Sequence, residues 1–357
     1  MLSPGDREER STRLNAAAIV GISGTTLTPE EIELYASKRP SGFILFARNC
    51  ESPDQVASLV RSLRLAVNDA HVPILIDQEG GRVTRLKPPY WQMLPPLRRI
   101  GECAKHAPEL AKEAAWLHAR LVASDLEPLG ITINCSPVLD LGLKGQTEAI
   151  GDRAFSEDPS IVGELGQAMI EGFLDGGVIP VIKHLPGHGR ATVDSHAHLP
   201  RVSAHRDILA AADWQPFRQN AEAPLGMTAH ILFPALDLAC CATQSSTIIN
   251  DIIRGEIGFS GALLSDDLSM EALGGSLGER ARRAIEAGCD LALHCNGAMA
   301  EMTAVLTASG PLEGGSLKRF NQALSMKRPP EPFDARAGRE RLISLLVPFA
   351  RESEAPS

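Results

Sequence analysis

Eight short apolar runs, rich in Ile, Val and Leu and each closing on polar or small residues, recur along this 357-residue chain. They fall at 16–22, 42–46, 73–77, 131–140, 178–184, 225–231, 261–268 and 291–295. Runs of this kind suit parallel strands buried on both faces. Most are followed by a stretch with helical spacing, at 54–66, 108–124, 159–174, 205–220 and 276–287. In the first of these, Val56, Leu59, Val60, Leu63 and Leu65 supply an apolar face while Arg61 and Arg64 take water. Ser52-Pro53-Asp54 marks where that helix starts. Eight strand-like runs alternating with helices predict an α/β chain folded as a single (β/α)8 TIM-like barrel. A doubly wound open sheet would want a glycine-rich phosphate turn after its first strand. Gly21-Ile22-Ser23-Gly24 does not fit G-x-G-x-x-G.

No linker divides the chain, so one catalytic domain is expected, with the barrel over about 15–327. Arg328-Pro329-Pro330-Glu331-Pro332 breaks the chain before a final helix at 334–349, where Ala335, Leu342, Leu345 and Leu346 can pack on the barrel wall. Residues 350–357 read as a short tail. The net charge is -9 and no basic block exists, which argues against nucleic acid and anionic membranes as partners. No apolar run approaches the ~20 residues that span a bilayer. The polar start, Met1 to Arg10, has no apolar region of a secretory signal behind it. Seven cysteines without a C-x-x-C pair read as free thiols in a reducing compartment. A cytoplasmic monomer is the expectation.

In a barrel of this class reactive groups gather where the strands end. The third run closes on Asp77-Gln78-Glu79-Gly80-Gly81-Arg82-Val83-Thr84-Arg85, and the fourth leads to Ile150-Gly151-Asp152-Arg153-Ala154-Phe155. The fifth ends in Lys183-His184 and enters Leu185-Pro186-Gly187-His188-Gly189, continuing to Asp194-Ser195-His196-Ala197-His198-Leu199-Pro200. The seventh carries Ser265-Asp266-Asp267-Leu268-Ser269-Met270. One such residue alone reads as a helix cap or a solvated loop charge. Their recurrence at one end of the barrel is a different matter. In an extended segment Asp194 and His196 project to the same side, so the carboxylate can orient the imidazole and raise its pKa, as a proton donor working near neutral pH requires. A metal site built from His184, His188, His196 and His198 is the competing reading, but the spacing matches neither H-E-x-x-H nor a Cys/His zinc pattern.

These stretches, with Phe46-Ala47-Arg48-Asn49 and Gly21-Ile22-Ser23-Gly24, resemble glycoside hydrolase family 3. The nearest branch is that of the bacterial β-N-acetylglucosaminidases (β-hexosaminidases) that recycle cell-wall muropeptides. The resemblance runs from about Asn15 to Asn296, and Lys-His-x-Pro-Gly-His-Gly followed by Asp-Ser-His is its most specific part. It implies Asp266 as nucleophile and His196 as acid/base oriented by Asp194. Asp77, Arg85, Arg153, Lys183 and His184 would hold sugar hydroxyls. Two positions depart from the family pattern: Leu185 stands where Phe is usual, and Arg190 puts a cation on the loop.

The resemblance implies a retaining exo-enzyme that removes terminal non-reducing β-linked N-acetylglucosamine through a covalent glycosyl-enzyme, with a small carbohydrate or muropeptide as substrate and no metal or organic cofactor. Lys183, Arg153 and Arg85 are expected to keep Asp266 ionised. Asp267 should face the other way along the strand, in a packing or hydrogen-bonding role. The alternatives are a β-glycosidase or glycoside phosphorylase of the same family with another sugar or acceptor, and a non-catalytic sugar-binding barrel.

Overall fold

The computed structural model describes residues 14–193 and 199–349. Eight parallel strands close into a barrel in sequence order. They are β1 (Ala16–Val20), β2 (Pro40–Leu45), β3 (Ile74–Ile76), β4 (Ile133–Asn134), β5 (Ile179–Leu185), β6 (Leu225–Thr228), β7 (Ala262–Asp267) and β8 (Leu291–His294). Each overlaps one of the eight apolar runs; six are contained in theirs, while β2 starts two residues before its run and β5 ends one residue after its own. In the fourth run the ladder stops at Asn134, and Ser136-Pro137 with Val138–Asp140 continues as irregular chain.

The helices are α1 (Pro29–Lys38), α2 (Pro53–Val67), α3 (Leu97–Ala104), α4 (Pro108–Leu126), α5 (Pro159–Asp175), α6 (Leu277–Ala287), α7 (Met299–Ala308), α8 (Gly314–Ser325) and α9 (Ala335–Leu346). The Ser52 side chain caps α2 by accepting from the Gln55 N–H. Leu65, assigned above to the apolar face of this helix, is 79% exposed, and Val67 is buried instead. Leu65 lies two residues, about 200° around the helix, from Leu63, whereas Val67 follows Leu63 at the i+4 spacing that shares a face. The expected helix at 205–220 is broken: a π-helical turn at Leu209–Asp213 separates two short helical pieces. Helices α1, α3, α7 and α8 and a π-helical stretch at Ile248–Glu256 are additional to those read from spacing. The final helix ends at Leu346, followed by a 3-10 turn, Val347–Phe349. It packs on α4 with Leu342, Leu345 and Leu346 buried.

Two apolar layers hold the barrel. One face of the strands, with Ala18, Val20, Leu45, Ile76, Ile182 and Leu263, packs against the surrounding helices. The other face fills the interior with Ile19, Ile44, Leu75, Ile133, Val181, Met227, Leu264 and Leu293, and Leu312 and Phe320 join this inner cluster. The interior is therefore packed, not a channel, and the place left for chemistry is its mouth. No helix of the described residues is long and apolar enough to cross a membrane.

Candidate active site

Side chains alternate along a strand, so the residue two beyond an interior one also points inward. Continuing from Leu75, Val181 and Leu264 brings Asp77, Lys183 and Asp266 to the mouth from β3, β5 and β7. All three line a cavity of about 300 Å³ together with Glu79, Arg82, Arg85, Arg153, His184 and His188. The side of the cavity toward β6 and β8 is apolar, with Met227, Leu293 and Cys295.

The loop after β3 is folded for this purpose. Gly80 and Gly81 take φ of 97° and 54°, left-handed values that cost a side chain-bearing residue free energy. The resulting turn lets Glu79 N–H donate to the Val83 carbonyl at 2.9 Å. Gln78 then ties down the returning strand by accepting from the Arg85 and Leu86 N–H groups at 2.8 and 3.1 Å. Arg85 consequently comes back over Asp77, with Nη2 3.4 Å from Oδ2, and lies 4.9 Å from the centroid of the Phe46 ring.

The polar residues interlock. Lys183 Nζ donates to Asp77 Oδ1 at 2.9 Å and is 2.6 Å from Glu79 Oε1. Arg153 grips both oxygens of Glu79 from Nε and Nη2, each at 2.8 Å. Burial opposes ionisation of Asp77 and Glu79, yet these cations outweigh it and hold both carboxyls below the ordinary range. On the other side, Asp140 accepts from His184 Nδ1 at 2.6 Å and from the backbone N–H groups of His184 and His188 at 3.2 and 2.6 Å.

Asp266 differs from its neighbours in having few partners. Among the described residues it accepts one hydrogen bond, from the Asp267 N–H at 2.8 Å. Desolvation pushes its carboxyl up, but His184, His230, that N–H and Lys183 together bring it below the usual value. This corrects the expectation that Arg85 and Arg153 do so: those guanidiniums are committed to Asp77 and Glu79, and the histidines take their place. Asp267 is a hydrogen-bonding residue, accepting from the Ser269 N–H and hydroxyl and from the Cys295 N–H. His230 Nε2 lies 3.0 Å from the Asp267 carbonyl and its Nδ1 2.7 Å from the Thr243 hydroxyl, so it braces the end of β7.

The family model of the glycosyl hydrolase family 3 N terminal domain matches residues 16–324. The chain belongs to glycosyl hydrolase family 3. It is a glycoside hydrolase. A β-hexosaminidase of Alkalilimnicola ehrlichii is 40% identical over 282 residues, covering 78% of this chain and 80% of that one. A β-hexosaminidase of Hydrogenovibrio crunogenus is 36% identical over 316 residues, covering 85% and 86%. Among solved structures, NagZ from Neisseria gonorrhoeae superposes with a TM-score of 0.78 at 29% identity, covering 93% of this chain and 98% of that one. A family 3 β-N-acetylglucosaminidase from Paenibacillus sp. gives a TM-score of 0.83 at 30% identity, and this chain spans 66% of that longer protein.

Within the family 3 barrel, Asp266, Asp77, Arg85, Arg153, Lys183 and His184 converge on one cavity. Asp194 and His196 lie outside the described residues, as does His198. Among the described residues no group of three His, Cys, Asp or Glu side chains is arranged to hold a metal ion. The two departures have local explanations. Leu185 is fully buried and packs over Gly226 on β6. Arg190 is not a loose cation, because its Nε donates to the buried Asp213 carboxylate at 2.7 Å. The sequence reading assigned no role to Glu79, Asp140, His230 or Phe46, although Phe46 stands in a quoted motif and Asp140 and His230 close the fourth and sixth runs. Glu79 stands inside the quoted β3 motif, where its parity with Asp77 was the available signal. The roles of Asp140 and His230 depend on partners that are distant along the chain.

Proposed function

We propose that this family 3 enzyme is a retaining exo-β-N-acetylglucosaminidase that removes terminal non-reducing β-linked N-acetylglucosamine from cell-wall muropeptides. The observation that carries the reading is Asp266: a carboxylate kept ionised at the cavity, with one backbone donor and otherwise free to attack. Beside it the Asp77–Lys183–Glu79–Arg153 set offers a rigid pattern of donors and acceptors suited to sugar hydroxyls. The homology to β-hexosaminidases supports the choice of sugar.

In the first step the Asp266 carboxylate attacks the anomeric carbon while His196, oriented by Asp194, gives its proton to the departing glycosidic oxygen. A glycosyl ester to Asp266 forms and the aglycone leaves as an alcohol. In the second, His196 takes a proton from water, the water oxygen displaces Asp266 at the anomeric carbon, and the starting carboxylate and imidazolium return. Carboxylate and imidazole suffice for both steps without a metal or organic cofactor. The same reading makes the enzyme a cytoplasmic monomer acting on a soluble saccharide.

The test compares N-acetylglucosaminyl-1,6-anhydromuramoyl peptide with chitobiose, following products by mass spectrometry and the first-formed anomer by NMR. Faster release of N-acetylglucosamine from the muropeptide, appearing first as the β-anomer, is expected. An initial α-anomer would reject double displacement, and a sugar 1-phosphate formed on adding phosphate would reassign the enzyme as a phosphorylase.

A further inference from the structure

Asp140 is not among the residues lining the cavity, yet it holds His184 and His188, which are. The path is set by the barrel. Val138 bridges Lys183 in parallel register, and the Leu139 N–H donates to the Lys183 carbonyl at 2.8 Å. Asp140 therefore arrives alongside His184 at the end of β5. Its Oδ1 accepts from the His184 and His188 backbone N–H groups, and its Oδ2 faces His184 Nδ1 at 2.6 Å. The carboxylate is 1% exposed. A buried anion this close to a ring nitrogen requires a proton on that nitrogen.

We propose that Asp140 is a positioning residue that fixes the proton of His184 on Nδ1 and turns Nε2 to the sugar pocket beside Asp266. This rests on the reading of Asp266 as nucleophile. The groups around His184 fit such a role. Asp266 faces it from β7, His230 from β6, Lys183 precedes it on β5, and the His188 ring sits edge-on with centroids 5.6 Å apart. Arg153 and Asp213 are the further charges felt by Asp140 itself. Burial is the largest influence on His188 and His230 and pushes both down, to about 4 for His188.

Asp140→Asn isolates the effect because it keeps the shape. The amide oxygen can still accept the two backbone N–H groups, but the amide nitrogen now faces His184 Nδ1. Two donors cannot meet, so the ring must place its proton on Nε2 and accept at Nδ1. Nε2 then meets the pocket as a donor in place of an acceptor, and the influence of His184 that helps hold the Asp266 carboxyl down is weakened.

The experiment has two readouts on the full chain. Long-range ¹⁵N–¹H NMR of histidine-labelled wild-type enzyme, with His184 assigned by comparison with His184→Gln, should find the Nδ1 of His184 protonated at every pH where the fold persists. A neutral His184 protonated on Nε2 would overturn the proposal, whether or not any variant folds and whatever the substrate proves to be. The second readout is the pH profile of kcat/KM on p-nitrophenyl N-acetyl-β-glucosaminide. Asp140→Asn should lower kcat/KM about 10- to 100-fold and move the acid limb to higher pH. In the double variant with His184→Gln it should add little to the loss from His184→Gln alone. An unmoved acid limb with only a lower melting temperature, or fully additive losses, would reduce Asp140 to a structural role and refute the proposal. Wild-type enzyme that ignores the hexosaminide would instead refute the assigned function, leaving the NMR result to decide the tautomer.

Discussion

The barrel carries a buried carboxylate cluster at each end, and the two are used differently. At the bottom, Asp290 precedes β8 and is saturated. Its Oδ2 accepts from Arg254 Nη2 at 2.9 Å and the Leu263 N–H at 2.8 Å, while Oδ1 accepts from the Ser316 hydroxyl at 2.7 Å and Arg319 Nη2 at 2.5 Å. It joins the 248–256 stretch, β7, β8 and α8, and no lone pair is left for a ligand. At the mouth, Asp77 and Glu79 are also matched with cations, but that set lines the cavity, and Asp266 beside it is left almost without partners. Ion pairing and burial are common to both clusters. What separates a fastener from a reaction centre is the unfilled hydrogen-bonding capacity that faces open space.

The comparison can be broken most directly at Asp266. Asp266→Asn should cut kcat by roughly 10⁴-fold or more, because an amide cannot form the glycosyl ester. Its melting temperature should fall only slightly, since an amide oxygen can still accept the Asp267 N–H and only the electrostatic contribution of the carboxylate is lost. Wild-type-like turnover in a verified preparation would remove the nucleophile assignment.

A paired substitution sharpens the contrast between the two clusters. Glu79→Gln and Asp290→Asn each strip the anion from buried cations, and each should cost about 3–5 kcal/mol of stability in urea unfolding. Only Glu79→Gln should also lower kcat/KM well below the melting range, by about 10- to 100-fold, since Arg153 and Lys183 lose the group that aims them at the sugar. Equal loss of activity in the folded state of Asp290→Asn would erase the distinction.

The pH dependence follows from the direction of the shifts. The Asp77, Glu79, Asp140 and Asp266 carboxyls all lie below their ordinary values of 3.8, or 4.5 for the glutamate, in the folded protein. Each therefore adds stability that is present above its unfolded value and is lost as pH falls through its folded one. Urea midpoints should fall steadily below about pH 4, and the slope should be shallower in Glu79→Gln.

The smallest effect is expected away from both clusters. Asp125 on α4 is raised to about 6 by burial, with Arg339 of α9 pulling the other way. A carboxyl raised on folding favours the fold at low pH and loses that contribution as pH rises through 6. Asp125→Asn should thus melt about 2–4 °C above wild type at pH 8 and show no advantage at pH 4.5. An advantage that did not vary with pH would mean that charge burial is not the cause.

Much of this was legible before any coordinates. The eight apolar runs pointed to parallel strands covered on both faces, the missing glycine-rich turn argued for a barrel over an open sheet, and every run overlaps its strand. The site was legible wherever chemistry follows from position along one strand: Asp77, Lys183 and Asp266 stand just beyond interior residues at strand ends, so alternation alone aims them inward. Helices α1 and α8 were missed because their apolar faces are short, only Leu34 and Tyr35 or Phe320 and Ala323 being buried apolar residues within them. Leu65 was misassigned because a run of apolar residues was read without its angular phase.

Sequence by itself thus determined the strands, the end of the barrel where charge collects and the residues that reach the mouth, since each depends on local spacing and on the free energy of burying apolar surface. Only the tertiary structure decided which charge answers which. Arg85 and Arg153 could have faced Asp266, but a left-handed turn at Gly80-Gly81 brings Arg85 back over Asp77, and Arg153 reaches Glu79 from the loop after β4. Asp140 meets His184, and His230 meets the Asp267 carbonyl, across separations of 44 and 37 residues. Electrostatic partners are chosen by distances of a few ångströms in three dimensions, and no spacing along the chain encodes those before the barrel closes.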